Sequence, residues 1–177
     1  MNYGNIKFYD IANGEGIRTS LFVSGCPIHC PGCFNQEAQD YNYGQPYTNQ
    51  TRDIILDHLS KPHIAGLSLL GGDPMCQDHN GLIDLISLAE ATRNMGKTVW
   101  LWTGMAYEDI FPPKDKKGWG VIEYARQCLF MACNVVVDGP FIESQKDLTL
   151  AFRGSKNQRI IDVDKTLKAN KVVLYKE

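Results

Sequence analysis

No apolar stretch in this 177-residue chain approaches the roughly 18–20 residues that cross a bilayer, so no membrane span is expected. Met1 to Asp10 lacks the basic start and following apolar run of a secretory signal, which points to the cytoplasm. An excess of one charge is missing too. Eighteen Lys and Arg against twenty Asp and Glu leave a net charge of −2, so bulk electrostatics do not favour nucleic acid. The densest basic run, Lys114 to Lys117, is flanked by Pro112, Pro113 and Gly118 and reads as a solvated loop. There are no internal repeats or low-complexity tracts. Six cysteines are too few for a disulfide scaffold, yet three of them fall between Cys26 and Cys33. In a reducing compartment such clustering favours metal binding over cross-linking. The remainder, 44% hydrophobic and 21% charged, is that of a globular protein, read as one domain over residues 1–177.

Apolar runs and helical stripes alternate along the chain. Ile17–Ser24 reads as a strand ended by Gly25, and Ala65–Leu70 as a buried strand stopped by Gly71-Gly72. Lys97–Thr103 and Asn134–Val137 are strand-like, with further strands expected near Ile160–Val163 and Lys171–Tyr175. Helical spacing appears over 51–60, over 79–94 (Leu82, Leu85, Ile86, Ala89) and over 119–131 (Val121, Ile122, Ala125, Cys128, Leu129). Such alternation predicts an α/β fold with a parallel sheet. A complete eight-stranded barrel usually needs about 250 residues. A partial, open parallel β/α barrel of five or six strands is therefore expected. The chemically unusual residues follow the strands, and in parallel sheets those carboxyl ends form the ligand-binding rim. Cys26–Cys33, Gly71–Pro74, Thr103-Gly104 and Asp138-Gly139 should accordingly meet at one edge.

The cysteine segment, Ser24-Gly25-Cys26-Pro27-Ile28-His29-Cys30-Pro31-Gly32-Cys33-Phe34-Asn35, has the spacing Cys-x3-Cys-x2-Cys. A 4Fe–4S cube has four irons, and electron-transfer ferredoxins usually ligate all four with thiolates. Three close thiolates leave one iron open, and an open metal position is what chemistry requires. Spacing alone keeps three other readings in play: zinc with His29 or another histidine as fourth ligand, a cluster completed by Cys76, Cys128 or Cys133, or unliganded core cysteines.

The same spacing is the signature of the radical S-adenosylmethionine (SAM) superfamily, and other blocks extend the likeness. They are Met1-Asn2-Tyr3, Asp10-Ile11, Asn13-Gly14-Glu15-Gly16-Ile17-Arg18-Thr19, Leu21–Cys26, Cys30–Asn35 and Gly44-Gln45-Pro46-Tyr47-Thr48, then Leu69–Pro74, Trp100–Gly104, Val137-Asp138-Gly139 and Arg153–Gln158. In these blocks the chain resembles the small glycyl-radical activases that serve anaerobic ribonucleoside-triphosphate reductases. Those activases typically carry Gly-Pro-Gly around position 15, so Glu15 is a departure.

The resemblance implies a 4Fe–4S cluster on Cys26, Cys30 and Cys33 whose free iron is chelated by SAM. It further implies reductive cleavage of SAM to methionine and a 5′-deoxyadenosyl radical, then hydrogen abstraction from a glycine of the reductase, with a low-potential donor such as reduced flavodoxin. Activation of another glycyl-radical enzyme, or a non-enzymatic zinc or electron-transfer module, are the alternatives. Gly71-Gly72-Asp73 corresponds to the superfamily's Gly-Gly-Glu type motif, which engages the SAM amino group. Gly32, Cys33 and Phe34 would face the adenine, and Asn35, Thr103 and Asp138 complete the implied SAM contacts.

Several residues read as structural. Cys128 and Cys133 sit on apolar faces as small buried hydrophobes, and Cys76, closer to the expected site, is read as structural or incidental. His29 faces solvent, and Trp100 and Trp102 pack in a strand. Asp138 is by default a turn carboxylate, with the ribose or a partner's loop as its functional alternative. Arg153–Gln158 suits a surface used by the partner.

Overall fold

The computed structural model describes residues 1–112 and 120–176. The Lys114–Lys117 loop and the first residue of the 119–131 helix lie outside the described residues. Among the described residues seven strands form one open, mixed sheet in the order β3-β1-β2-β4-β5-β6-β7. The strands are β1 (Asn2–Asp10), β2 (Arg18–Val23), β3 (Gln45–Pro46), β4 (Gly66–Gly71), β5 (Thr98–Trp102), β6 (Val135–Asp138) and β7 (Arg159–Asp162). The helices are α1 (Asn49–Leu59), α2 (His79–Asn94), α3 (Tyr107–Ile110), α4 (Val121–Ala132) and α5 (Val163–Ala169).

At the centre, β2, β4, β5 and β6 run parallel. Every residue of β6 is buried, as are the first five of β4, as expected for strands covered on both faces. On one side, Leu21, Val23, Leu67, Leu69, Val99, Leu101 and Val136 join Ile55, Leu59, Leu82, Leu85 and Leu129 of the helices in the core. Helix α2 packs between α1 and α4. Its start is fixed by Asp78, whose Oδ1 accepts the Gly81 N–H at 2.7 Å. On the other side Trp100 packs edge-on to Phe152 and Tyr175, and the Trp102 indole donates to the Phe152 carbonyl at 2.7 Å.

The edges correct the expectation of a parallel sheet of five or six strands. Strand β1 pairs antiparallel with β2, β3 with β1, and β7 with β6. Residues Gly4–Tyr9 alternate between half-buried and exposed, so this edge strand carries little apolar signal. The strand expected over Lys171–Tyr175 is reduced to one isolated bridge between Leu174 and Ile161. Two main-chain bonds flank that bridge, Asp162 N–H to Val173 O at 2.9 Å and Tyr175 N–H to Ile160 O at 2.8 Å, and Tyr175 and Lys176 both bond the Glu15 carboxylate.

Candidate functional site

Because β2, β4, β5 and β6 are parallel neighbours, their carboxyl ends share one edge, and the four expected motifs follow them there. The loop after β2 is held at its entry by main-chain bonds. Gly25 N–H donates to Ala38 O at 2.7 Å, Cys26 N–H to Gln39 O at 3.1 Å, and Cys33 N–H to Cys30 O at 3.1 Å. Gly25 has φ +99°, and a Cβ there would fall 2.1 Å from the Tyr41 ring. Only glycine fits both the dihedral and the space. The Tyr41 hydroxyl in turn donates to Cys76 O at 3.0 Å.

Cys26, Cys30 and Cys33 are free thiols, each half-buried. Burial is the largest influence on Cys26 and pushes its thiol up; the Ile28 N–H draws it back, the Asp73 charge raises it, and the His29 N–H lowers it. Three free thiols on one loop, with backbone N–H groups directed at the first sulfur, are a donor set suited to a 4Fe–4S cluster. Among the described residues no three His, Cys, Asp or Glu side chains surround a single-ion position. Zinc ligands must converge on one point, whereas a cube distributes its thiolates over separate irons. His29 uses Nδ1 to bond Gln39 Oε1 at 2.8 Å. Cys133 is buried and donates its S–H to Leu129 O at 3.2 Å, and Cys128 is half-buried on α4. Burial also pushes Cys76 up, beside the negative Asp73.

The turn after β4 continues the β2–β4 pairing: Gly72 N–H donates to Val23 O at 2.7 Å and Asp73 N–H to Gly25 O at 2.8 Å. A Cβ on Gly72 would approach the carbonyls of Gly25 and Ala38 at 2.5 and 2.7 Å. Asp73 is 1% exposed. Its carboxylate accepts from Met75 N at 2.9 Å, Thr103 Oγ1 at 3.0 Å and Gly104 N at 2.9 Å. Burial raises its pKa and these donors oppose the rise. In this structure Asp73 and Thr103 therefore spend their polar groups on each other and pin the ends of β4 and β5 together. Asn35 Nδ2 donates to Gly71 O at 3.2 Å, linking the cysteine loop to the same turn.

A cavity of about 360 Å³ brings together Cys33, Phe34, Asn35 and Gly71, with Lys7 and Phe22 on its wall. That size lies within the roughly 300–1,000 Å³ of small-molecule sites. Phe34 is 98% exposed. Gly32 lies outside this cavity and faces the Glu143 carboxylate, 3.0 Å from where a Cβ would sit. Asp138 is held elsewhere: it accepts from Arg159 at 3.0 and 2.5 Å and from Tyr107 N at 2.8 Å. Arg159 also grips Glu108 with two bonds. A larger cavity, about 480 Å³, opens at the opposite edge among Glu15, Thr98, Trp100 and Asp162 and contains none of the expected site residues.

Sequence reasoning missed two buried polar residues. Arg18 and Gln77 are both buried; Arg18 falls in the strand expected over Ile17–Ser24, yet nothing in the sequence foretells its buried partners, and no spacing or neighbour sets Gln77 apart from a surface glutamine.

Known proteins match this chain over most of its length. The family described as a 4Fe-4S single cluster domain matches residues 12–161. The anaerobic ribonucleoside-triphosphate reductase-activating protein of Escherichia coli K12 is 37% identical over 162 residues, covering 89% of this chain and 96% of its own. The proteins of that name from Vibrio cholerae and Enterobacteria phage T4 are 36% and 37% identical; the matches cover 90% of this chain in both cases, and 97% and 93% of theirs. With a 4Fe–4S domain over most of its length and relatives of one name along nearly all of it, the chain belongs to the family of anaerobic ribonucleoside-triphosphate reductase-activating proteins.

Proposed function

We propose that this protein is a cytoplasmic radical SAM activase that generates the glycyl radical of an anaerobic ribonucleoside-triphosphate reductase. The observation that carries the reading is the trio of free, half-buried cysteines on one loop at the carboxyl edge of the parallel strands, beside the Gly71–Asp73 turn. Cys26, Cys30 and Cys33 would hold three irons of a 4Fe–4S cluster and leave the fourth for the amino and carboxylate groups of SAM. A 4Fe–4S cluster held there by Cys26, Cys30 and Cys33, and reduced by a low-potential donor such as flavodoxin, would supply the electron for reductive cleavage of SAM, the chemistry by which a glycine of the reductase would be activated.

The chain's own contribution is positioning. The backbone of Gly71 and Gly72 offers acceptors to the SAM amino group, while Asp73 fixes the turn that presents them. Cys33, Phe34 and Asn35 wall the cavity where the rest of SAM would lie, with Gly32 at the loop's far side. Asp138 keeps the end of β6 in place through Arg159. The open sheet serves as the frame of a partial barrel whose uncovered side admits a protein loop.

The test is anaerobic. Reconstituted protein, reduced in the presence of SAM and the reductase, should release 5′-deoxyadenosine and give the reductase a glycyl radical visible by electron paramagnetic resonance. Stoichiometric zinc in anaerobically purified protein, or a cluster that leaves SAM intact, would overturn the proposal.

A further inference from the structure

We propose that Gln77 is a positioning residue whose buried amide locks the cysteine loop to the Gly71–Asp73 turn, coupling retention of the cluster to the binding of SAM. The inference rests on the cluster reading above. Gln77 ends the short 3-10 turn Pro74–Cys76 and is 3% exposed. Its Nε2 donates to Ser24 O at 3.1 Å and to Asp73 O at 3.0 Å, with Gly25 O at 3.5 Å as a weaker third acceptor. Two of these carbonyls belong to the residues immediately before Cys26. The third belongs to the turn expected to meet SAM. One side chain thus spans both halves of the site.

The arrangement is directional as well as buried. Gly25 O already receives the Asp73 N–H at 2.8 Å, so the amide closes a ring of hydrogen bonds between the two loops. Asp73 passes the constraint on to Thr103 and Gly104 at the end of β5. Gly25 O and Asp73 O each keep a main-chain donor without the amide, from Asp73 N–H at 2.8 Å and Cys76 N–H at 3.1 Å, so its loss falls mainly on the link to Ser24 O. Without the amide the cysteine loop and the turn would still be joined by the Gly72–Val23 and Asp73–Gly25 main-chain bonds and by Asn35, but their separation would be held less tightly. A cluster on one loop and a cosubstrate on the other both need that separation held.

The experiment compares wild-type protein with Gln77→Met, which keeps the length and removes the donors, and Gln77→Glu, which turns an acceptor towards the carbonyls. Three quantities are read at 10 °C on anaerobically loaded protein: chelator-driven iron release, SAM affinity from the change in the reduced cluster's paramagnetic resonance spectrum, and separately the unfolding midpoint of the cluster-free chain. Gln77→Met should release iron about ten-fold faster and bind SAM about ten-fold more weakly, the equivalent of about 1.4 kcal/mol. Gln77→Glu should exceed it on both. Should Gln77→Met not fold, Gln77→Asn retains a donor one methylene too short to span both loops and should show the same loosening. Wild-type release and SAM affinity in the variants, with only the unfolding midpoint lowered, would make Gln77 a packing residue and overturn the proposal. Wild-type protein that assembles no cluster would overturn the cluster reading and this inference together.

Discussion

At the amino ends of β2, β4 and β5 the Arg18 guanidinium directs all five N–H groups to acceptors, whereas at the carboxyl ends of those strands three thiols stand half-open to solvent. The Arg18 bonds run to Ser68 Oγ, Glu15 O, Thr98 Oγ1, Leu67 O and Thr98 O at 2.6–3.1 Å. Trp100 lies beside it, 5.7 Å from guanidinium carbon to ring centroid. Burial lowers its pKa to about 10, so it stays charged at neutral pH. The carboxyl end is fixed mainly by main-chain bonds, the Asp73 carboxylate and one buried amide. One end is closed by chemistry complete within the chain. The other leaves its three thiols free.

The comparison is broken most directly at the thiols. Replacing Cys26, Cys30 or Cys33 by Ala should abolish iron–sulfur absorbance and SAM cleavage while leaving the unfolding midpoint of the cluster-free chain near wild type. Cys128→Ala should change neither. Loss of the cluster from Cys128→Ala would mean that the ligand set is misassigned.

At the closed end, Arg18→Met should destabilise the cluster-free chain by about 3 kcal/mol, lowering its melting temperature by roughly 10 °C. Cluster assembly should survive at low temperature. An unchanged melting temperature, or a cluster lost at 10 °C, would join the two ends that the comparison separates.

Gly72→Ala is expected to have a smaller structural effect. Its Cβ would press on two backbone carbonyls, costing about 1–3 kcal/mol. Calorimetry should show a fall of about 5 °C, and SAM titration a weakened affinity, because the displaced atoms belong to the turn and the loop together. Wild-type values in both assays would remove Gly72 from the site.

The smallest effect concerns Glu15. Its hydrogen bond to Lys176 holds the carboxyl below its usual 4.5, opposed by slight burial and helped by the Tyr175 hydroxyl. A depressed carboxyl contributes stability above its ordinary value, and that contribution is lost as pH falls through the folded-state value. Melting temperature should therefore decline between about pH 5 and pH 3 slightly more steeply in wild type than in Glu15→Gln. The group is partly exposed, so the difference will be modest and reduced by salt. Identical slopes would show that this pair does not hold the C-terminal segment.

What the sequence revealed follows from the same contrast. The central strands were readable because each is a short apolar run stopped by glycine or a cysteine loop, and α2 because Leu82, Leu85 and Ala89 repeat at helical spacing. Strand β1 was not, since Asn2, Asn5 and Lys7 interrupt it and only alternate residues meet the core. Lys171–Tyr175 has strand-like residues, yet its pairing with β7 stops at a single bridge and two main-chain bonds, and ties to Glu15 and Trp100 complete its placement. At the site, cysteine spacing announced the ligands, and the motifs after β4 and β5 announced the edge. The commitments of Asp73 to Thr103, of Asp138 to Arg159, and of Gln77 to two loops are contacts between residues far apart in the chain, visible only once the strands are side by side.

Gly25 carries an evolutionary consequence. Any side chain there must first evict the Tyr41 ring, and shrinking Tyr41 would still leave a left-handed dihedral that other residues resist. A lineage that replaced this glycine would carry the clash, the strained dihedral or both, in each case disturbing the residue next to Cys26. Drift is therefore expected to leave position 25 alone even where the surrounding loop diverges.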